Sequence, residues 1–420
     1  MRVELAYGQG HLAVELPDSH TTVIKPSRAP GLQDERAAVL AALDKPIAAH
    51  PLRQWIKPGD RICIAFSDLT RPTPNNRLLP WLDEYLAGVP PDSVTLLNGV
   101  GTHRPNTQAE LEQMLTPAIV RKYKVVNHEP ENPAALVPLG TTRDGTPALL
   151  NRLFVEANVR IATGFIEPHF FAGFSGGPKA IMPALAGLTT VMSNHGAKNI
   201  GDPNAAFGVT RGNPIWEEMR DIALRAGPTF LLNVALNDQR QITGVFAGDL
   251  LAAHRSGCEF VRQSAMQKCD APFDVVVTSN SGYPLDLNLY QGVKGMSAGA
   301  RVLKSGGTLI LACECREGLP AGSSLDRLLR STSSPEEILT RVATPGFAQP
   351  EQWQALIQAR IQRHARVLLY STMPDDAVRA AHLTPCHDIS GAVNELLRAN
   401  FHPARVAALP EGPLTIPYLS

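Results

Sequence analysis

Three histidines and a lysine occupy positions where their chemistry could be used. His103 lies in GVGTHRP, just past an apolar run and just before a helix signal. Glycines at 99 and 101 let the backbone turn tightly there, and an imidazole, whose ordinary pKa lies near neutrality, suits general-base work. A loop histidine bonded to backbone is the plainer alternative. His169 and Lys179 share GFIEPHFFAGFSGGPKA, in which Gly173, Gly176 and Gly177 surround Ser175 and Pro178 precedes the lysine. A glycine loop feeding a helix N-terminus presents free N–H groups to an anion, and Pro178 is placed as that helix's first residue. It is not a Walker A loop, because proline separates Gly177 from Lys179. Pro168 and two phenylalanines flank His169 with bulk that could shut out water; a glycine hinge with packed aromatics explains the same residues without chemistry. His195 follows in SNHGAKN, one helix-length beyond Lys179. No HxH, HExxH or CxxC accompanies it, so alone it is a weak metal signal.

Two further groups carry charge. Asp68 and Arg71 sit in SDLTRPTP, stiffened by Pro72 and Pro74. They could pair with each other and tie the turn, or Arg71 could offer its planar fork to a carboxylate or phosphate while Asp68 orients it. Tyr290, Gln291 and Lys294 form an i, i+1, i+4 set in LYQGVKG. Tyr290 and Lys294 then share a helix face, suited either to closing over an anion or simply to meeting solvent.

These segments follow strand-like runs. RICIAF (61–66), SVTLLN (93–98), 124–127, 159–163 and 229–236 read as buried strands, as do DVVVTS (274–279), 308–313 and RVLLYS (366–371). Helices are expected at TQAELEQML, where Thr107 and Glu110 have capping-box spacing, and over 250–267, 335–341 and 351–361. The alternation predicts an α/β protein: two α/β domains with mostly parallel sheets and an interdomain cleft at the strand ends. The helical period breaks at KCDAPF, so the expected units are 1–267 and 268–420. Lys plus Arg and Asp plus Glu both total 39 in this 420-residue chain. Zero net charge removes the electrostatic footprint of a nucleic-acid binder or polybasic membrane protein. No apolar run reaches the ~18 residues of a membrane span, and the N-terminus shows no secretory h-region. Six cysteines, with only Cys313 and Cys315 close together at the end of an apolar strand, suit a reducing cytoplasm.

Taken together, SDLTRPTP, GTHRP, EPHFFAGFSGGPKAIMPALAG, SNH and LYQGVKG resemble the nickel-pincer-dependent lactate racemases and related 2-hydroxyacid racemases and epimerases. The blocks occur in family order, and the resemblance spans about residues 1 to 400. It implies two α/β domains around a cleft and a pyridinium mononucleotide that grips nickel through sulfur, carbon and sulfur. Carried over, Lys179 would hold this cofactor covalently and His195 would ligate the nickel. His103 and His169 would be the acid–base pair. Arg71, Gln291 and Lys294 would hold the substrate carboxylate or nearby anionic groups, with Asp68 and Tyr290 supporting substrate or cofactor. The resemblance also implies cofactor-synthesis proteins as maturation partners. Relatives often carry a histidine where this chain has Trp216, and selectivity depends on pocket residues outside the blocks, Trp353 among the candidates.

Such a set answers a chemical difficulty. Plain deprotonation of a 2-hydroxy acid builds a carbanion beside a carboxylate, whereas moving the C2 hydrogen as hydride avoids it. Two bases on opposite sides then serve the two enantiomers. The expected substrate is a small, lactate-like 2-hydroxy acid. A longer sugar acid, a non-catalytic nucleotide- or anion-binding homologue and a zinc hydrolase are the alternatives.

Overall fold

Parallel strands linked by helices all end on one edge, where their loops gather. Two such sheets organise the computed structural model, which describes residues 1–27, 29–319, 322–344, 346–399 and 404–419. In chain order the strands begin with β1 (Thr21–Val23), β2 (Ile62–Ser67), β3 (Val94–Gly99), β4 (Lys124–Asn127), β5 (Val159–Phe165) and β6 (Phe230–Leu236). They continue with β7 (Ile242–Asp249), β8 (Phe273–Ser279), β9 (Leu303–Ala312), β10 (Ala365–Tyr370), β11 (Thr384–Pro385) and β12 (Val406–Leu409). The first sheet runs β7-β6-β5-β2-β3-β4, parallel except between β6 and β7. The second runs β11-β10-β9-β8-β12-β1 and is parallel throughout. The α/β architecture with two largely parallel sheets is therefore as the alternation of runs predicts. Most expected strands lie within two residues of their bounds; the 308–313 run starts earlier, at Leu303.

Both faces of the first sheet are covered, which is why its strands read as continuous apolar runs. Ile62, Ile64 and Phe66 enter one buried cluster with Leu78 and Leu82. Cys63 and Ala65 enter another with Phe154 and Leu185, and that cluster continues into Val276, Leu311 and Leu409 of the second sheet. Register then sets the loops side by side: Ser67 lies opposite Gly99, and Ala65 opposite Ala162.

Two local features depart from the expectations. The long helix is Leu250–Ala265, capped by Asp249, and ends before 267 because Met266–Cys269 pairs as a strand with Ile416–Leu419. The first residues, placed by the sequence reading with the N-terminal unit, join the second sheet. Thr21–Val23 hydrogen-bonds to β12, and the hairpin Arg2–Tyr7/Gly10–Glu15 packs Val3, Leu5 and Val14 against Val275, Val277 and Ile310. The hairpin's alternating pattern gives it one apolar face, and the second sheet covers it. Among the described residues no helix is long and apolar enough to cross a membrane.

Candidate functional site

One cavity is lined by Asp68, Arg71, His103, His169, Lys179 and His195 from the first sheet's side and by Tyr290, Gln291 and Lys294 from the second. Every residue given an expected catalytic, metal-binding, cofactor or substrate role in the sequence thus reaches the same space.

The loop after β2 is held by Ser67, whose Oγ donates to Thr73 Oγ1 at 2.6 Å and whose carbonyl accepts from Asn75. The Asp68 carboxylate does not tie the turn to Arg71. It accepts from His103 Nδ1 at 2.7 Å and from Thr70 Oγ1 at 2.8 Å. Burial pushes this carboxyl up, but His103 and Arg71 pull it further down, leaving it below the usual range. A carboxylate at Nδ1 fixes the neutral His103 tautomer, so Nε2 keeps its lone pair. Arg71 Nη1 is buried without a hydrogen-bond partner.

His169 is set differently. Pro168–His169 pairs with Gly173–Phe174 in a short hairpin closed by a three-residue loop, and the Ala172 N–H donates to His169 Nδ1 at 3.2 Å. The neutral ring therefore carries its proton on Nε2. Burial holds its pKa well below the ordinary value, with Lys179, Lys294 and Arg71 adding to the shift. Phe170 and Phe171 pack on the ring at 4.9 and 4.6 Å between centroids. His103 and His169 thus present an acceptor and a donor.

The glycine loop corrects one expectation. Lys179 does not stand on an α-helix whose N-terminus faces an anion; Gly177–Ala180 is a single turn of 3-10 helix. Pro183 lacks the N–H that would bond the Lys179 carbonyl in a longer helix, and the Gly177 N–H is already given to Asn233 Oδ1 at 2.8 Å. Gly177 has φ +52°, and a Cβ there would lie 2.3 Å from the His254 ring. The loop is a mount for the lysine. Burial, with Arg71 and Lys294 nearby, lowers the Lys179 amine to about 7, so a large fraction is the neutral nucleophile at neutral pH.

His195 follows the helix Leu188–Asn194, and its Nδ1 meets Asn194 Oδ1 at 3.0 Å. Asn194 is fixed in turn by Ile215 O and Glu218 Oε2. With Nδ1–H engaged, Nε2 is free to bind a metal, the orienting arrangement usual for histidine ligands. Burial and Lys179 lower this imidazole to about 3, keeping the lone pair available. Its ring sits between Phe171 and Trp353, each 5.0 Å away. Among the described residues no three His, Cys, Asp or Glu side chains gather around a common point.

From the second sheet, Tyr290, Gln291 and Lys294 project from the helix Leu289–Ala300, capped by Asn288. They are not a solvated face: Gln291 and Lys294 are buried, and burial with Arg71 beside it lowers the lysine to about 7. Tyr290 OH accepts from Trp353 Nε1 at 3.1 Å. Trp216 lies outside the cavity, its ring stacked on His254.

Glu167 and Gln354 are among the lining residues that were not picked out from the sequence. Glu167 Oε2 is buried without a hydrogen-bond partner; burial raises its pKa against the opposing pull of Lys294 and Arg71. It places a carboxylate among the site's cations, and its position two residues before His169 was the available signal. Gln354 lies on the helix Gln352–Gln362, with nothing in its neighbourhood to mark it.

The chain matches the lactate racemase N-terminal domain over residues 7–208 and the lactate racemase C-terminal domain over 268–416. It is 35% identical to a lactate racemase of Thermoanaerobacterium thermosaccharolyticum over 417 residues, covering 98% of this chain and 97% of that one. It is 36% identical to a lactate racemase of Lactiplantibacillus plantarum over 383 residues, 90% of each. The structure of the lactate racemase apoprotein from Thermoanaerobacterium thermosaccharolyticum aligns with a TM-score of 0.92 at 34% identity, over 99% of this chain and 100% of that one. A crystal structure of a Thermotoga maritima protein, 20% identical with a TM-score of 0.71 over 92% and 98% of the two chains, shares the fold. With its catalogue of side chains in one cleft and its similarity running nearly end to end, this chain belongs to the lactate racemase family, and it is an isomerase.

Proposed function

We propose that the protein interconverts the enantiomers of a small 2-hydroxy acid by reversible hydride transfer, using a nickel-pincer nucleotide tethered through Lys179. Family membership implies this cofactor, and the donor set suits it. A buried amine near its neutral form is what covalent attachment requires, and His195 offers one imidazole lone pair. A metal at His195 would need its remaining donors from a non-protein group, and nickel held by mixed sulfur and imidazole donors would fit that description. Arg71, with an unpartnered donor, and Lys294 would hold the substrate carboxylate or a phosphate. Bound there, the cofactor would supply reversible storage of the hydride that leaves C2.

The protein's own part is proton movement and containment. His103 Nε2 receives the hydroxyl proton of one enantiomer as C2 becomes planar, and Asp68 stabilises the resulting imidazolium. His169 serves the opposite face: it must first take up a second proton, which it gives to the oxygen as hydrogen returns to C2, and it is left as the neutral ring. Phe170, Phe171 and Trp353 exclude water that would compete for the hydride. In this reading residues 25–267 carry attachment and acid–base groups, while 268–420 with the N-terminal hairpin close over the substrate. Maturation requires the proteins that synthesise the cofactor.

The observation that carries the reading is the convergence of His103, His169, Lys179 and His195 on one cavity. Its test is co-expression with the cofactor-synthesis proteins, followed by intact mass, nickel analysis and a racemisation assay. Wild type should gain a covalent adduct, nickel and activity, and Lys179→Ala should lack the adduct. An unmodified, inactive wild type would favour a non-catalytic anion binder instead.

A further inference from the structure

We infer that Gln354 reads a hydroxyl on the substrate carbon next to the reacting centre, so the preferred guest is a 2,3-dihydroxy acid in place of lactate. The inference rests on the proposed function and narrows its substrate class. Gln354 is 1% exposed and lines the cavity beside Tyr290 and Trp353, whose ring packs against His195. Its Nε2 donates to the Tyr290 carbonyl. That bond fixes the amide, because turning it over would set two oxygens against each other. Oε1 is then left buried and without a hydrogen-bond partner. A buried acceptor in this state carries a standing desolvation penalty, which a ligand's donor removes.

Lactate has no donor for it. Its carboxylate only accepts, matching the unpartnered Arg71 Nη1 and the Lys294 ammonium, and its one hydroxyl proton is committed to the acid–base histidines. Its methyl group would leave Gln354 Oε1 unpaired, whereas a hydroxyl at C3 would satisfy it. Sites built to hydrogen-bond a substrate hydroxyl discriminate strongly against the analogue lacking it. The same donor chemistry could come from sugar hydroxyls of the tethered nucleotide, and the test separates the two sources.

The matured enzyme would be assayed with glycerate and lactate, in wild type and Gln354→Leu, with adduct mass and nickel content measured on each preparation. Wild type should show a kcat/KM at least about tenfold higher for glycerate. The variant should lose that preference, mainly through the glycerate KM, at unchanged adduct and nickel. Calorimetric titration of the cofactor-free full chain should likewise show tighter binding of glycerate than lactate, a difference absent from the variant. A wild type that binds and turns over lactate as well as glycerate would overturn the inference, independently of how the variant folds. Equal losses on both substrates with reduced adduct would also overturn it, assigning Gln354 to the nucleotide. A fully loaded wild type that interconverts no 2-hydroxy acid would overturn the proposed function as well.

Discussion

Asp68 decides which nitrogen of His103 is left free in the cavity, and the Ala172 N–H decides the same for His169. Asp68→Asn should therefore lower kcat by about 10²–10⁴-fold with a small change in KM, since the imidazolium loses its counter-charge while the carboxylate anchors remain. Adduct mass and nickel should be unaffected, which separates loss of orientation from loss of cofactor. His103→Ala and His169→Ala should each abolish interconversion in steady-state assays while nickel is retained; nickel loss in either would contradict the assignment. At this scale the sequence spoke through residue type and neighbours. It raised His103, His169, Lys179 and His195 and offered Arg71 as a partner for Asp68, whereas the carboxylate's hydrogen bond goes to His103. A carboxylate three residues from an arginine looks self-sufficient until a loop from the adjacent strand brings a histidine to it.

The elements that hold these groups are short and tightly set. The 3-10 turn under Lys179 depends on Gly177, whose positive φ and contact with His254 leave no room for a side chain. Gly177→Ala should destabilise the chain by about 2 kcal/mol or more from overpacking and backbone strain. It should also reduce adduct formation, as read by chemical unfolding and intact mass. Strand runs such as ICIAFS were legible because both faces of a parallel strand are buried and the run is apolar throughout. The helix expected at Pro178 was not, because its early stop depends on Pro183 and on a bond to Asn233 that lies 56 residues away. Gln354 was invisible for a similar reason: its amide acquires meaning only when the Tyr290 carbonyl from another helix fixes it.

For the whole molecule, the two sheets share an apolar cluster and the N-terminal hairpin completes the second of them, so the cleft is part of the fold's interior. Pairing between Thr21–Val23 and Val406–Leu409 spans almost the full chain and leaves no local trace in the sequence. A buried cleft carries an electrostatic cost. His195 and His254 are held at about 3 and about 4 by burial, and His169 and His128 are lowered too. Because these folded values lie below the unfolded value near 6.5, the unfolded chain binds more protons as pH falls. Their contribution is thus present above about pH 6.5 and is lost on acidification. The cofactor-free chain should lose about 2 kcal/mol or more of unfolding free energy between pH 7 and pH 5, measured in urea. An unchanged midpoint would mean that these rings are not buried neutral.

In the proposed function the cleft carries the C2 hydrogen across without releasing it. The most direct test is to incubate the matured enzyme with C2-deuterated substrate in ordinary water and examine both enantiomers by mass spectrometry after partial turnover. Deuterium kept at C2 in the product is the predicted result; its wholesale replacement by solvent hydrogen would mean that a side chain removes the C2 proton, and would contradict the hydride route.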